Sequence, residues 1–201
     1  KAILSLTAIG KDARNVDGYN LFEPIADFDK TVEQGPNGAI WALLALDCNP
    51  AYSFPKVKAG GNQNSREKLI DHLLSVQVPG GGWAMSGTKA DSDLTGMALQ
   101  ALAPYYHKSG YENVTTAIDQ ALDVLSAMQN DTGGFSTTGG QGPVETVESC
   151  AQVLTALCAL GIDPETDPRF IKGGKWMVEN LLSVTRIRVG DTHVNTSPEP
   201  L

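Results

Sequence analysis

The stretch Pro79-Gly-Gly-Gly-Trp-Ala-Met-Ser-Gly-Thr-Lys-Ala-Asp-Ser-Asp-Leu-Thr-Gly-Met-Ala-Leu-Gln-Ala-Leu-Ala-Pro104 decides the architecture. Proline cannot continue a helix, and glycines accept the positive φ of a helix stop and sharp reversal. Trp83 follows the glycines, and Asp91 or Asp93 then opens an apolar helix. A carboxylate there accepts hydrogen bonds from free backbone N–H groups and complements the positive helix end. The pattern returns as Gly133-Gly134-Phe135, with Glu145 and Glu148 ahead of the apolar run Ala151 to Gly161.

Working outward, the apolar segments fall into register. Ala98-Leu99-Gln100-Ala101-Leu102 superposes on Val153-Leu154-Thr155-Ala156-Leu157 and on Ala42-Leu43-Leu44-Ala45-Leu46, and Ile3 to Gly10 matches Leu154 to Gly161. Amphipathic patterns intervene: Tyr19 to Gln34, Ser65 to Val78, Val114 to Gln129 and Phe170 to Val184. Ser65 is the expected cap of the second. A segment apolar on nearly all sides is buried on all sides, so the amphipathic helices must cover the apolar ones. The expectation is stacked helical hairpins in two layers, an inner and an outer ring.

Composition narrows the classes. The chain has 201 residues, 41% hydrophobic content and 21 glycines in punctuating clusters, as for one globular domain. No apolar run approaches the ~20 residues that span a bilayer. The net charge of −8 excludes a nucleic-acid partner, which needs a basic surface. Cys48, Cys150 and Cys158 form no CxxC pair, and Cys150 and Cys158 are expected as small buried hydrophobes on one helix. The opening Lys1-Ala-Ile-Leu lies inside a helical pattern, as in a processed or trimmed chain. The loop at Asp12, Asn15 and Asp17-Gly18 fails as a calcium loop, because Ala13 and Pro24 fall where acidic ligands are needed. Residues 185–201 are a tail, with strand-like alternation at 186–194 and a linker-like Ser197-Pro-Glu-Pro-Leu201.

The recurring Gly81-Gly82-Trp83 and Gly133-Gly134-Phe135, each followed by acids and an Ala/Leu-rich helix, resemble the repeats of the α/α toroid superfamily. That superfamily includes terpene cyclases, protein prenyltransferase β subunits, complement thioester domains and cobalamin carriers. Gln34-Gly-Pro-Asn-Gly-Ala-Ile-Trp-Ala-Leu-Leu-Ala-Leu-Asp47 and Asp163-Pro-Glu-Thr-Asp-Pro-Arg-Phe-Ile171 resemble prenyltransferase-like repeat domains of secreted bacterial surface proteins. The resemblance covers residues 1–184 and implies an all-α fold, an α/α toroid of helical hairpins. With four helical pairs the ring is expected to be partial or incomplete. It also implies an extracellular or bacterial cell-surface location.

Three functions follow as expectations. Asp91-Ser-Asp-Leu-Thr95 resembles the Asp-x-Asp-Asp-Thr motif of class II terpene cyclases, with Asp93 as proton donor and Asp91 beside it. Leu94 stands where the family has its last aspartate, and aromatics are only 6% of the chain. The same two carboxylates are also simple helix caps. The prenyltransferase zinc set lacks its Asp-x-Cys pair, and no Cys-Gly-Glu-Gln thioester motif exists, so neither metal nor cofactor is expected. Asp91, Asp93, Glu145 and Glu148 suit a carbohydrate-active enzyme, which needs two carboxylates. The favoured expectation is a non-catalytic binding module for a small molecule, surface glycan or protein. Its site would combine Trp41, Trp83, Tyr106 and Phe135 as walls with those four acids as polar groups. Packing of Trp83 and Phe135 against their glycine turns is the other reading of those rings.

Overall fold

The computed structural model describes residues 1–137, 144–184, 186–189 and 192–195. Eight α-helices dominate these residues: α1 (Ala2–Ala8), α2 (Phe28–Val32), α3 (Pro36–Asp47), α4 (Arg66–Ser75), α5 (Ser92–Leu102), α6 (Glu112–Met128), α7 (Val147–Ala159) and α8 (Met177–Val184). Two short antiparallel pairs complete them, β1 (Ser136–Thr137) with β2 (Val144–Glu145) and β3 (Arg186–Val189) with β4 (Thr192–Asn195). The tail is therefore a hairpin over these residues rather than one strand. The glycine-rich run at 138–143 and the linker-like 196–201 lie outside the described residues.

The helices start and stop where local chemistry directs. Ser65 accepts a hydrogen bond from the Lys68 N–H and caps α4. Pro36 occupies the first position of α3, where its missing N–H costs nothing. The sequence Gly35-Pro36 thus begins the helix, one turn earlier than the break expected over 35–38. Gly10 and Gly161 end α1 and α7 in the same way. Each takes a φ near +73°, and the residue after each donates five positions back, Lys11 to Leu6 O and Ile162 to Leu157 O. This is the backbone counterpart of the Ile3–Gly10 and Leu154–Gly161 match.

Two amphipathic patterns do not become the long helices that periodicity suggests. Over 19–34 only a 3₁₀ turn (Glu23–Ile25) and the five-residue α2 form. Tyr19 is spent in a tight bridge to Val16, the Asn20 side chain holds the Phe22 N–H, and Asp27 is extended and paired with Gln63. Over 170–184, Lys172 and Lys175 close a turn, and the helix begins only at Met177. Glu145 lies in β2, ahead of α7.

Packing follows the repeat. Helix α5 packs on both α3 and α7, while α4 packs on α3 and α6, and α6 on α5. The α5–α7 seam is the most extensive. A Cβ on Gly96 would sit 3.0 Å from the Gln152 backbone, and the Gln100 amide donates to the Gln152 O and Oε1. The main core joins α3 to α7 through residues such as Leu43, Leu69, Leu99, Leu122 and Val153. A second, smaller core of Ile3, Ala13, Phe22, Ala45, Leu46 and Tyr52 ties α1 and its loops to α3. Tyr52 anchors it, its hydroxyl meeting Thr7 Oγ1 at 2.8 Å and the Ala13 N–H at 3.2 Å. Helix α1 is otherwise poorly covered. Only Ile3 is buried, and Ile9 is 70% exposed. Cys150 is buried, but Cys158 faces solvent, because α7 leaves that side uncovered.

Candidate functional site

The two glycine–aromatic turns share one backbone hydrogen-bond pattern. In the first, the Gly81 N–H bonds Val78 O and the Val78 N–H bonds Gly82 O. In the second, Gly133 bonds Asn130 O and Asn130 bonds Gly134 O. Each turn then docks on a segment later in the chain: a Cβ would lie 2.8 Å from Gln120 O of α6 at Gly81, and 2.7 Å from Trp176 O, just ahead of α8, at Gly133. Only glycine permits such backbone-to-backbone approach with positive φ.

Trp83 and Phe135 are both wholly buried. The Trp83 indole donates to Leu73 O at 2.8 Å, and its backbone N–H and C=O both bond the Thr95 hydroxyl. Cys150 takes the place of Thr95 in the second copy, its thiol facing Asn180 Oδ1. Both rings belong to the main core, the packing position of the second reading, and neither lines the two clefts described below.

Asp91 is the N-cap of α5, accepting the Leu94 N–H at 2.9 Å, and Thr146 does the same for α7 through the Ser149 N–H. Asp93 sits one step inside α5, facing α7. Its Oδ1 is buried without a hydrogen-bond partner, while its carboxyl bonds Ser149. Burial raises its pKa, with the Asp91 and Glu148 charges adding to the effect. Leu94 is buried, and Glu148 points to solvent. Glu145 is fully engaged, accepting from Asn130 Nδ2, Thr132 Oγ1 and Asn180 Nδ2. It locks β2 to the second glycine turn. Tyr106 donates to Asp119 Oδ1 at 2.7 Å, and burial with that carboxylate pushes its phenol up to about 12. It pins the end of α5 to α6.

The raised Asp93 pKa makes a signed prediction. A carboxyl whose folded-state pKa lies above its unfolded value contributes most below the unfolded pKa. That contribution is lost as pH rises through the folded pKa. Ionised Asp93 is therefore a cost at neutral pH. Asp93→Asn should leave the urea midpoint equal or higher at pH 7, with the difference from wild type shrinking in acid. Asp91→Ala should lower stability by about 1 kcal/mol through loss of the cap. A large loss in Asp93→Asn at pH 7 would contradict this assignment.

The open volumes lie elsewhere. One cleft of about 430 Å³ separates α1 from α3 and is lined by Lys1, Ile3, Leu21, Pro24, Ile25, Lys30, Thr31, Gln34, Asn37, Gly38, Trp41, Ala42 and Ala45. A second, of about 560 Å³, is walled by Glu23, Pro24, Ala26, Asp27, Lys30 and the 55–58 strip of Pro55, Lys56, Val57 and Lys58. Trp41 is half-buried with the Lys1 ammonium 4.9 Å from its ring centroid. Of the eight expected site residues, Trp41 alone lines either of these clefts. Helix α1 makes a far smaller contact with α3 than α5 makes with α7. Lys30, Gln34, Asn37, Lys56 and Lys58 were not singled out from sequence. The only local signal was the Pro-Lys-Val-Lys alternation at 55–58.

Among the described residues no group of three or more His, Cys, Asp or Glu side chains is placed to hold a metal ion, and no helix is long and apolar enough to cross a membrane. Comparison with known proteins finds no matching family model, no matching curated protein and no matching solved structure.

Proposed function

We propose that this chain is a non-catalytic binding module on a partial α/α toroid, working at the cell surface or outside the cell. Its ligand site is the cleft between α1 and α3. The observation that carries the reading is the position of Trp41. It combines an aromatic face, an apolar floor from Ile3, Leu21, Ile25, Ala42 and Ala45, and a polar rim from Lys30, Gln34 and Asn37. Such a mixture of apolar wall and few polar groups is the usual make-up of a ligand site. The succession α3, α5, α7 with α4 and α6 against them supports the toroid-type scaffold.

The two enzyme readings have less behind them. Asp93 would need an alkene or epoxide within reach, yet its carboxyl faces Ser149 and neither cleft is lined by it. A glycosidase needs two carboxyls flanking a substrate, and Glu145 is consumed by three donors.

The test is a ligand screen read on the Trp41 indole resonance, assigned through Trp41→Phe. A binder should shift that signal and lose at least tenfold in affinity in Trp41→Ala, with the melting temperature nearly unchanged. Turnover of a polyprenoid or glycoside that Asp93→Asn abolishes would overturn the proposal.

A further inference from the structure

The two clefts share Pro24 and Lys30 in their walls. They therefore lie side by side, with the 3₁₀ turn Glu23–Ile25 and the Lys30 side chain as their common wall. Their chemistry differs. The α1–α3 cleft offers the Trp41 face together with the Gln34 and Asn37 amides. Gln34 makes no hydrogen bond among the described residues, and Asn37 uses only its Nδ2, on Met85 Sδ. Amides left with both donors and acceptors match hydroxyls, which also donate and accept.

The second cleft is set up for negative charge. Lys56 and Lys58 are exposed and make no ion pair among the described residues. Of its two carboxylates, Asp27 is already occupied, lying 3.8 Å from Lys30 Nζ and accepting the Asn62 N–H. That leaves Lys56 and Lys58 facing Glu23 alone. In a chain of net charge −8 this is a local reversal of sign. The strip that carries the lysines is held in place. Gln63 bonds both the Pro55 C=O and the Val57 N–H, fixing alternate residues on one side. The Val57 side chain is backed by Gly61, where a Cβ would come within 2.5 Å of it.

We propose that the two adjoining clefts take an acidic saccharide chain, a sugar ring stacking on Trp41 in place of the Lys1 ammonium while carboxylates of following units cross the Pro24–Lys30 wall to reach Lys56 and Lys58. This rests on the binding-module reading and adds the ligand class. The aromatic face and free amides select a hydroxylated ring, the lysines select its anionic substituents, and the shared wall of Pro24 and Lys30 sets the two clefts next to each other for one chain to span.

The experiment is titration calorimetry on the whole chain with three probes: tetragalacturonate, tetra-mannuronate and a chondroitin tetrasaccharide. Methyl-esterified tetragalacturonate and a decaglutamate peptide are the controls. The expected result is binding of at least one acidic probe, at least tenfold weaker for the methyl ester. Raising salt from about 50 to 300 mM should weaken it several-fold, because exposed charges are screened. The Lys56→Glu, Lys58→Glu double variant and Trp41→Ala should each cost tenfold or more, with melting temperatures close to wild type.

Absence of binding by all three acidic probes overturns the proposal, as does equal binding of the methyl ester. Decaglutamate binding as tightly as the saccharides would show that charge alone is read, and also overturns it. A neutral ligand that needs Trp41 but ignores the lysines would defeat this inference while leaving the binding-module reading intact.

Discussion

Trp83→Ala should lower the free energy of unfolding by about 3–5 kcal/mol, the range for removing a large aromatic from a core. The side chain is wholly buried between α4, α5 and α6, and its indole N–H satisfies Leu73 O. Removal opens a void in the main core beside Leu73 that the glycine turn cannot fill. Gly81 is already against Gln120 O and Gly82 against Ala90 and Thr95. The turn has no slack with which to collapse. For a domain whose total stability is about 5–15 kcal/mol, this is a large fraction. Trp83→Phe should lose roughly half as much, since Phe135 fills the equivalent place in the second copy. Urea denaturation of the three proteins measures the series. A loss under about 1 kcal/mol in Trp83→Ala would show that Trp83 is not the wedge described.

Gly38→Ala fails in the opposite way, by excess volume. The added carbon would lie 1.7 Å from Thr31 O and 2.9 Å from Thr31 C, both backbone atoms of α2. A flexible neighbour could step aside, but Thr31 is pinned. Its hydroxyl donates to Asp27 O and Ile25 O and accepts from Asn64 Nδ2. Helices α2 and α3 must separate, at a cost of about 3 kcal/mol, the upper part of the overpacking range. Because Thr31 and Gly38 both line the α1–α3 cleft, ligand affinity should fall with stability. Gly35 is the control. It has open space around it but a φ of +63° and a ψ of −148°, a region essentially reserved for glycine, so Gly35→Ala should cost about 1–3 kcal/mol of backbone strain with no clash. A loss under about 1 kcal/mol in Gly38→Ala would show that α2 and α3 accommodate the added carbon.

What the sequence made legible follows from the range of each interaction. The Asp91 cap is a bond across three residues, so Asp-x-x before an apolar run is enough to foresee it. The glycine turns were likewise visible because positive φ and aromatic wedges are written in consecutive residues. Asp93 was harder. Whether a carboxyl in the first helical turn is exposed, capped or buried depends on the neighbouring helix, and here Ser149 of α7 covers it. Tyr19 to Gln34 misled because its apolar spacing suits a helix, while Asn20, Pro24 and Asp27 each impose a competing local turn. The cleft at Trp41 could not be foreseen at all. It depends on how far α1 stands from α3, which is fixed by Tyr52 reaching back to Thr7 and Ala13 from the far side of a long loop.

The forward docking of the glycine turns bears on how the chain is made. Gly81 rests on Gln120 of α6 and Gly133 on Trp176 just ahead of α8, so each turn is backed by a segment later in the chain. A nascent chain emerging from its amino end would carry an unfinished joint until that later segment appears and seals it. Fragments ending just after α5 should then be poor folders even though every residue of the first glycine turn is present.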